Sequence, residues 1–320
     1  MTPTFFFEDS NLDSLEKTVN RELKKLSLWL NANRLALNIS KTNFVIFAAK
    51  NKPLKNVTLL INKKAIQQTD HVKYLGVIID SQLTFTHHIV NVVKKVSRVT
   101  GLMYRIRGCV DNSTLYMIYY GLIYPHLLYG IPIWGNADNI HINPLLILQK
   151  KAIRLIMNKH RNIHTIFELP RTTVRLNLHN ENSVLIDISN DPVMYWYVDT
   201  YIKVPSDPLF KDRGILKVHD IYKLTTLIFV YESLNKLNPN QFHAYYTYPA
   251  DAQNTAANRD ENLDPPMVRT VTYGLKSLKY AGCILWNNLS IDTRNAVSKN
   301  VFKNLTKNDM INSYNNQADE

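Results

Sequence analysis

Only two cysteines, Cys109 and Cys283, occur in 320 residues. That excludes a disulfide framework and a cysteine-based zinc ribbon, and it suits a reducing, intracellular compartment. No basic stretch leads into an apolar run at the N-terminus, so no signal peptide is expected. No Asp-Asp pair occurs in the chain, and no comparable acidic cluster lies near its β-rich stretch. Two-metal nucleotidyl transfer needs clustered carboxylates. Glu8-Asp9 is adjacent but precedes a helical pattern, where acidic side chains complement the helix dipole. Gly-x-Ser-x-Gly, Walker-type and His-Glu-x-x-His motifs are absent too. His160 and His164 have i,i+4 spacing but lack a third ligand, so they are expected to face solvent, and His87-His88 is the only other histidine grouping. Charge itself is missing from Asn112 to Ala137. That run approaches the length of a membrane span, but Pro125, Gly130, Pro132 and His126 interrupt it. A buried helix followed by a kinked connection is expected, with no membrane partner.

What is abundant is positive charge. The formal net charge is +12 and the sequence pI is about 9.5. Such a balance points to a polyanionic partner, most often nucleic acid. The hydrophobic fraction of 45% is that of a folded protein.

The hydrophobic period predicts an α+β chain that is mainly α. Leu12, Leu15, Val19, Leu23, Leu26 and Leu30 recur at spacings of three and four, marking an amphipathic helix with Ser10 as N-cap and Lys17, Arg21, Lys24 and Lys25 off the stripe. Short β-type segments follow at 43–47, 57–61, 65–66 and 72–80, with Asn62-Lys63-Lys64 as a turn and Gly76 interrupting the last. A small antiparallel sheet packed by the first helix is expected. Helical pattern resumes from Thr86, with Lys94, Lys95, Arg98 and Arg105 off the apolar stripe. Another helix is expected from Asn112-Ser113-Thr114. A third is expected from Asn143-Pro144, carrying Lys150, Lys151 and Arg154. Periodicity is poor over 163–203. A helix through Leu234 and a mixed region around Trp286 follow, and the polar stretch from Asn304 is expected to fray.

Leu37-Asn38-Ile39-Ser40-Lys41-Thr42, followed further on by Lys73-Tyr74-Leu75-Gly76-Val77-Ile78-Ile79-Asp80, resembles the reverse transcriptases of jockey-like non-LTR retrotransposons. Tyr119-Tyr120, Tyr129-Gly130, Trp134-Gly135, Leu148-Gln149-Lys150-Lys151 and Tyr273-Gly274 through Leu285-Trp286-Asn287 extend the resemblance in order. It implies an incomplete polymerase palm over 1–85 with a primer-grip-like hairpin at Tyr74, Leu75 and Gly76. It further implies a helical thumb-like region over 86–162, an insertion or mis-joined segment over 163–203, a helical and mixed downstream region over 204–303 and a polar tail over 304–320. Lys41 would contact nucleotide phosphates or donate a proton. Lys94, Lys95, Arg98, Arg105, Lys150, Lys151 and Arg154 would meet the phosphates of an RNA/DNA hybrid or duplex.

Departures limit the resemblance. Thr2-Pro3-Thr4-Phe5-Phe6-Phe7 is similar to the strand that leaves the family's catalytic turn, which puts the aspartates outside the chain. The expectation is a fragment of an RNA-directed DNA polymerase, inactive alone. It would hold no cofactor, its magnesium would belong to the parent enzyme, and its partners would be nucleic acid and the parent's missing palm and fingers. A non-catalytic nucleic-acid-binding module and a non-functional transposon remnant are the alternatives.

Overall fold

A computed structural model describes residues 4–47, 57–157, 174–176, 184–186, 206–249 and 262–314. The chain divides into two compact units, Met1–His88 and Ile89–Glu320. Helices dominate, with four two-stranded sheets among the described residues.

The first unit is built on α1, Leu12–Ala32. Its stripe is the expected one, and Val19 and Leu23 are buried against Leu59, Ile61 and Ile66. The N-cap is Asn11 rather than Ser10: the Asn11 side chain accepts from the Asp13 N–H. Asp9 sits just outside, its carboxyl held below the usual value chiefly by the Asn11 N–H. The helix is also tied to the chain at 58–60 by polar side chains. Asn20 donates from Nδ2 to the Thr58 carbonyl at 3.0 Å and accepts the Leu60 N–H at 2.9 Å, while Glu16 accepts the Thr58 N–H at 3.0 Å. The Asn20 amide thus serves the 58–60 backbone as a neighbouring strand would, satisfying groups a free edge exposes.

The β segments do not form one antiparallel sheet. β2 (Leu60–Ile61) pairs antiparallel with β3 (Lys64–Ala65), β5 (His71–Tyr74) pairs antiparallel with β6 (Val77–Asp80), and β1 (Asn43–Phe44) pairs in parallel with β4 (Gln67–Gln68). The cause lies in the turns. Asn62 and Lys63 have φ of 51° and 63°, and Leu75 and Gly76 have φ of 45° and 87°. Both pairs match the two-residue turn with two left-handed positions, which joins strands adjacent in sequence and leaves β1 only β4. Gly76 is therefore a turn residue, not a bulge within a single strand.

In the second unit, α2 (Thr86–Ile106) buries Ile89, Val92, Val96 and Met103 along its stripe. The uncharged run folds as α3 (Asn112–Ile118), a π-helical turn (Tyr119–Ile123), α4 (Tyr124–Leu128) and α5 (Ile131–Trp134). Gly130, at φ 64°, makes the kink before α5. No helix among the described residues is long and apolar enough to cross a membrane. Asp111 caps α3, accepting from the Thr114 N–H at 3.0 Å and the Ser113 hydroxyl at 2.6 Å. These bonds, Ser113 foremost, pull its carboxyl down to about 2.

α6 runs Asn139–Ile156 and keeps Pro144 inside it, whereas the sequence pattern placed Pro144 at the first turn. The reason is burial: Ile142 is part of the core and draws the preceding turn into the helix. Beyond it, β7 (Val174–Leu176) and β8 (Val184–Ile186) pair antiparallel; the rest of the 163–203 expectation lies outside the described residues. α7 (Asp207–Asp212), α8 (Val218–Leu234), α9 (Leu278–Asn287) and α10 (Ile291–Arg294) follow. α11, Lys299–Asn312, is helical where the tail from Asn304 was expected to fray, and the end of that tail lies outside the described residues. Phe302 anchors it, stacked on Tyr231 at 4.6 Å and on Trp286 at 5.8 Å. Gly282 of α9 is required by close packing, since a Cβ there would lie 2.3 Å from the Tyr246 hydroxyl.

Two outcomes test this account. Asn20→Ala strips two backbone groups of their partner, and urea unfolding should show a loss of roughly 1–3 kcal/mol. The carboxylate at Asp111 stabilises the fold fully above its ordinary value near 3.8, and that contribution fades as pH falls toward about 2. Asp111→Asn keeps a cap but should flatten that part of the acid-unfolding profile.

Candidate nucleic-acid interface

The β5–β6 hairpin carries Tyr74, Leu75 and Gly76 at its tip. The ladder closes at Tyr74↔Val77 and runs back to His71↔Asp80. Leu75 is the unusual residue. It is left-handed without being glycine, and it is 72% exposed. A branched side chain there costs about 1–2 kcal/mol relative to ordinary backbone. Tyr74 packs edge-on to Phe6 at 6.0 Å between ring centres.

The base of the hairpin is set by Asp80. Its buried carboxylate accepts from the Thr84 N–H at 2.9 Å, the Phe85 N–H at 2.6 Å, the Gln82 N–H at 3.2 Å and the Thr84 hydroxyl at 3.2 Å. It thereby holds a loop in which Leu83 and Phe85 are both left-handed, at φ 54° and 57°. His88 adds a bond from the other side, its Nδ1 accepting the Ile78 N–H at 3.3 Å. His87 stacks on His71 with ring centres 4.7 Å apart. Asp80 is thus a loop organiser. A carboxylate closing a strand just before a helix start was the available signal, though nothing in its spacing specified four bonds.

Lys41 is exposed at the end of a 3-10 turn, Ile39–Lys41. Asn38 shapes that turn: its carbonyl accepts from the Lys41 N–H at 3.1 Å and the Thr42 hydroxyl at 2.9 Å, and its side chain accepts from the Ser40 hydroxyl at 2.6 Å. Lys41 and the hairpin tip both belong to the first unit.

The remaining cations belong to the second unit. On α2, Lys95, Arg98 and Arg105 are exposed and Lys94 is half-buried. From Lys94 to Arg105 they span about 16 Å of helix axis. Lys95 lies close enough to α4 to act on His126, whose pKa is lowered first by burial and then by that ammonium. On α6, Lys150, Lys151 and Arg154 are all half-buried beside a face that buries Gln149, Ala152 and Ile153. Their stems cover core surface, which leaves α6 less of a solvated basic face than α2.

His160 and His164 lie outside the described residues. Among the described residues no three His, Cys, Asp or Glu side chains gather as a metal site.

The chain is 27% identical over 210 residues to the RNA-directed DNA polymerase from mobile element jockey of Drosophila melanogaster, covering 62% of this chain and 22% of that protein. It is 32% identical over 133 residues to the jockey polymerase of Drosophila funebris, covering 40% of this chain and 14% of the relative. Similarity to "Probable RNA-directed DNA polymerase from transposon X-element" of Drosophila melanogaster is 27% over 164 residues, 49% of this chain and 18% of that protein. The matches therefore span 14–22% of the length of these relatives. The chain is similar to the polymerases of jockey-like transposons, as its motifs indicated. No protein-family model matches it, and no solved structure does.

Asp80→Ala removes the acceptor of three backbone N–H groups and should destabilise the chain by roughly 2–4 kcal/mol, measured by urea unfolding. A loss below about 1 kcal/mol would mean the loop holds its shape without Asp80.

Proposed function

We propose that this chain is a piece of a retrotransposon RNA-directed DNA polymerase that holds nucleic acid and does not polymerise by itself. The similarity to the jockey and X-element polymerases carries the reading. In it, residues 1–85 are part of a palm, 86–162 a thumb-like region and 204–303 a region downstream of it, with 163–203 inserted between. The hairpin tip at Tyr74, Leu75 and Gly76 takes the role of a primer grip: its glycine admits close approach of a sugar-phosphate backbone, and its base is fixed by Asp80. Lys41 faces the phosphate of a nucleotide. The cations of α2 and α6 pair with the phosphates of an RNA/DNA hybrid or duplex, giving affinity without reading sequence.

The described residues offer no donor set for a two-metal centre. No candidate cluster gathers among the described residues, and Asp80 is committed to backbone N–H groups. Magnesium chemistry in this reading belongs to carboxylates of the parent polymerase.

Two measurements test the proposal. Replacing Lys95, Arg98 and Arg105 by Glu should weaken binding to an RNA/DNA hybrid and to duplex alike. It should also flatten the dependence of log affinity on log salt by roughly 0.9 for each phosphate no longer neutralised. An unchanged slope would remove α2 from the interface. Purified chain with magnesium, primer and template should give no extension; template-dependent product would overturn the non-catalytic assignment.

A further inference from the structure

α1 buries its apolar stripe and turns a basic face outward. At about 100° per residue, Lys17, Arg21, Lys24, Lys25 and Leu28 fall within an arc of about 100° opposite Val19 and Leu23. All five are exposed. Arg21 and Lys25 share Glu22, at 3.3 and 2.9 Å. Lys17 and Lys24 form no ion pair among the described residues.

Trp29 flanks this arc one turn beyond Lys25, and it is 57% exposed. Indoles are usually well covered, as Trp134 and Trp286 are in this chain. The end of the helix that carries Trp29 is fixed, because the Asn33 side chain and backbone both donate to the Trp29 carbonyl, at 2.8 and 3.0 Å. From Lys17 to Trp29 the face runs about 18 Å along the axis.

We propose that this face binds single-stranded nucleic acid, with phosphates along Lys17, Arg21 and Lys24 and an unpaired base stacked on Trp29. The charge selects a polyanion. An apolar protein partner would bury four cations against the two carboxylates of Asp13 and Glu22, which desolvation opposes. The exposed indole selects an unpaired base, because duplex bases hide their faces in the stack. The site uses none of the residues of the hairpin tip or of α2, and it does not rest on the polymerase reading.

The test uses the full chain with fluorescein-labelled oligo(dT) and a duplex of equal length, read by anisotropy. Trp29→Ala should weaken oligo(dT) binding by roughly 5- to 100-fold and leave duplex affinity unchanged. Trp29→Phe should recover part of the loss, and oligo(dT) should quench tryptophan fluorescence in the native chain but not in Trp29→Ala. Lys17→Glu with Lys24→Glu should lower the salt slope for oligo(dT). Affinity unchanged within about twofold in Trp29→Ala would overturn the proposal. So would self-association through Trp29, seen by sedimentation, without oligo(dT) binding. Loss of duplex binding on charge reversal in α2 leaves this site standing, so the two ideas fail separately.

Discussion

The buried amide of Gln149 holds the second unit together. It is fully enclosed on α6, where an unsatisfied polar group would cost about 1–3 kcal/mol. Its Nε2 donates to the Tyr119 hydroxyl at 2.8 Å and to the Leu216 carbonyl at 2.7 Å, and its Oε1 accepts the Val218 N–H at 2.9 Å. One side chain thus joins α6, the π-helical turn and the entry to α8. The π turn has its own logic. Leu115, Tyr119, Ile123 and Leu127 are all buried at a spacing of four, which a helix of 3.6 residues per turn would carry progressively off its face. One wider turn restores the register and sets Tyr119 under Gln149. Burial then pushes the Tyr119 phenol well above its usual pKa, so it remains a neutral partner. The network continues through Tyr314, which accepts the Lys217 N–H at 3.0 Å and donates to Asp220 at 2.6 Å, latching the end of α11 onto α8.

In the first unit a carboxylate plays the corresponding part. Asp80 stabilises two left-handed residues in the loop before α2 and so fixes the base of a hairpin whose tip stands in solvent. Leu75 at that tip combines backbone strain with exposure. The turn type itself requires that conformation, as it does at Asn62 and Lys63. In the proposed reading the exposed tip and the cations of α2 are two surfaces, one in each unit.

Much of this was legible in the amino-acid pattern. The α1 stripe, the Asn62-Lys63 turn, the α2 stripe and the broken helical course of the uncharged run all follow from period and turn chemistry. The motif resemblance agrees with the similarity to jockey and X-element polymerases. What escaped has a common physical cause. Asn20 as a strand substitute, Gln149 as a hub, Pro144 inside α6 and Tyr314 as a latch depend on partners about 40 to 100 residues away, or on burial that overrides local preference. Composition made α11 look like a loose tail, yet Phe302, Thr306 and Tyr314 are enough to dock it. The N-cap moved by one residue because Asn and Ser compete nearly equally for that position.

Photocrosslinking tests the central claim most directly. The full chain would be bound to an RNA/DNA hybrid carrying photoreactive bases and the crosslinked peptides mapped. Crosslinks should fall on the hairpin tip around Tyr74–Val77 and on the exposed face of α2. Efficient binding with crosslinks confined to other segments, or no binding at saturating hybrid, would contradict it.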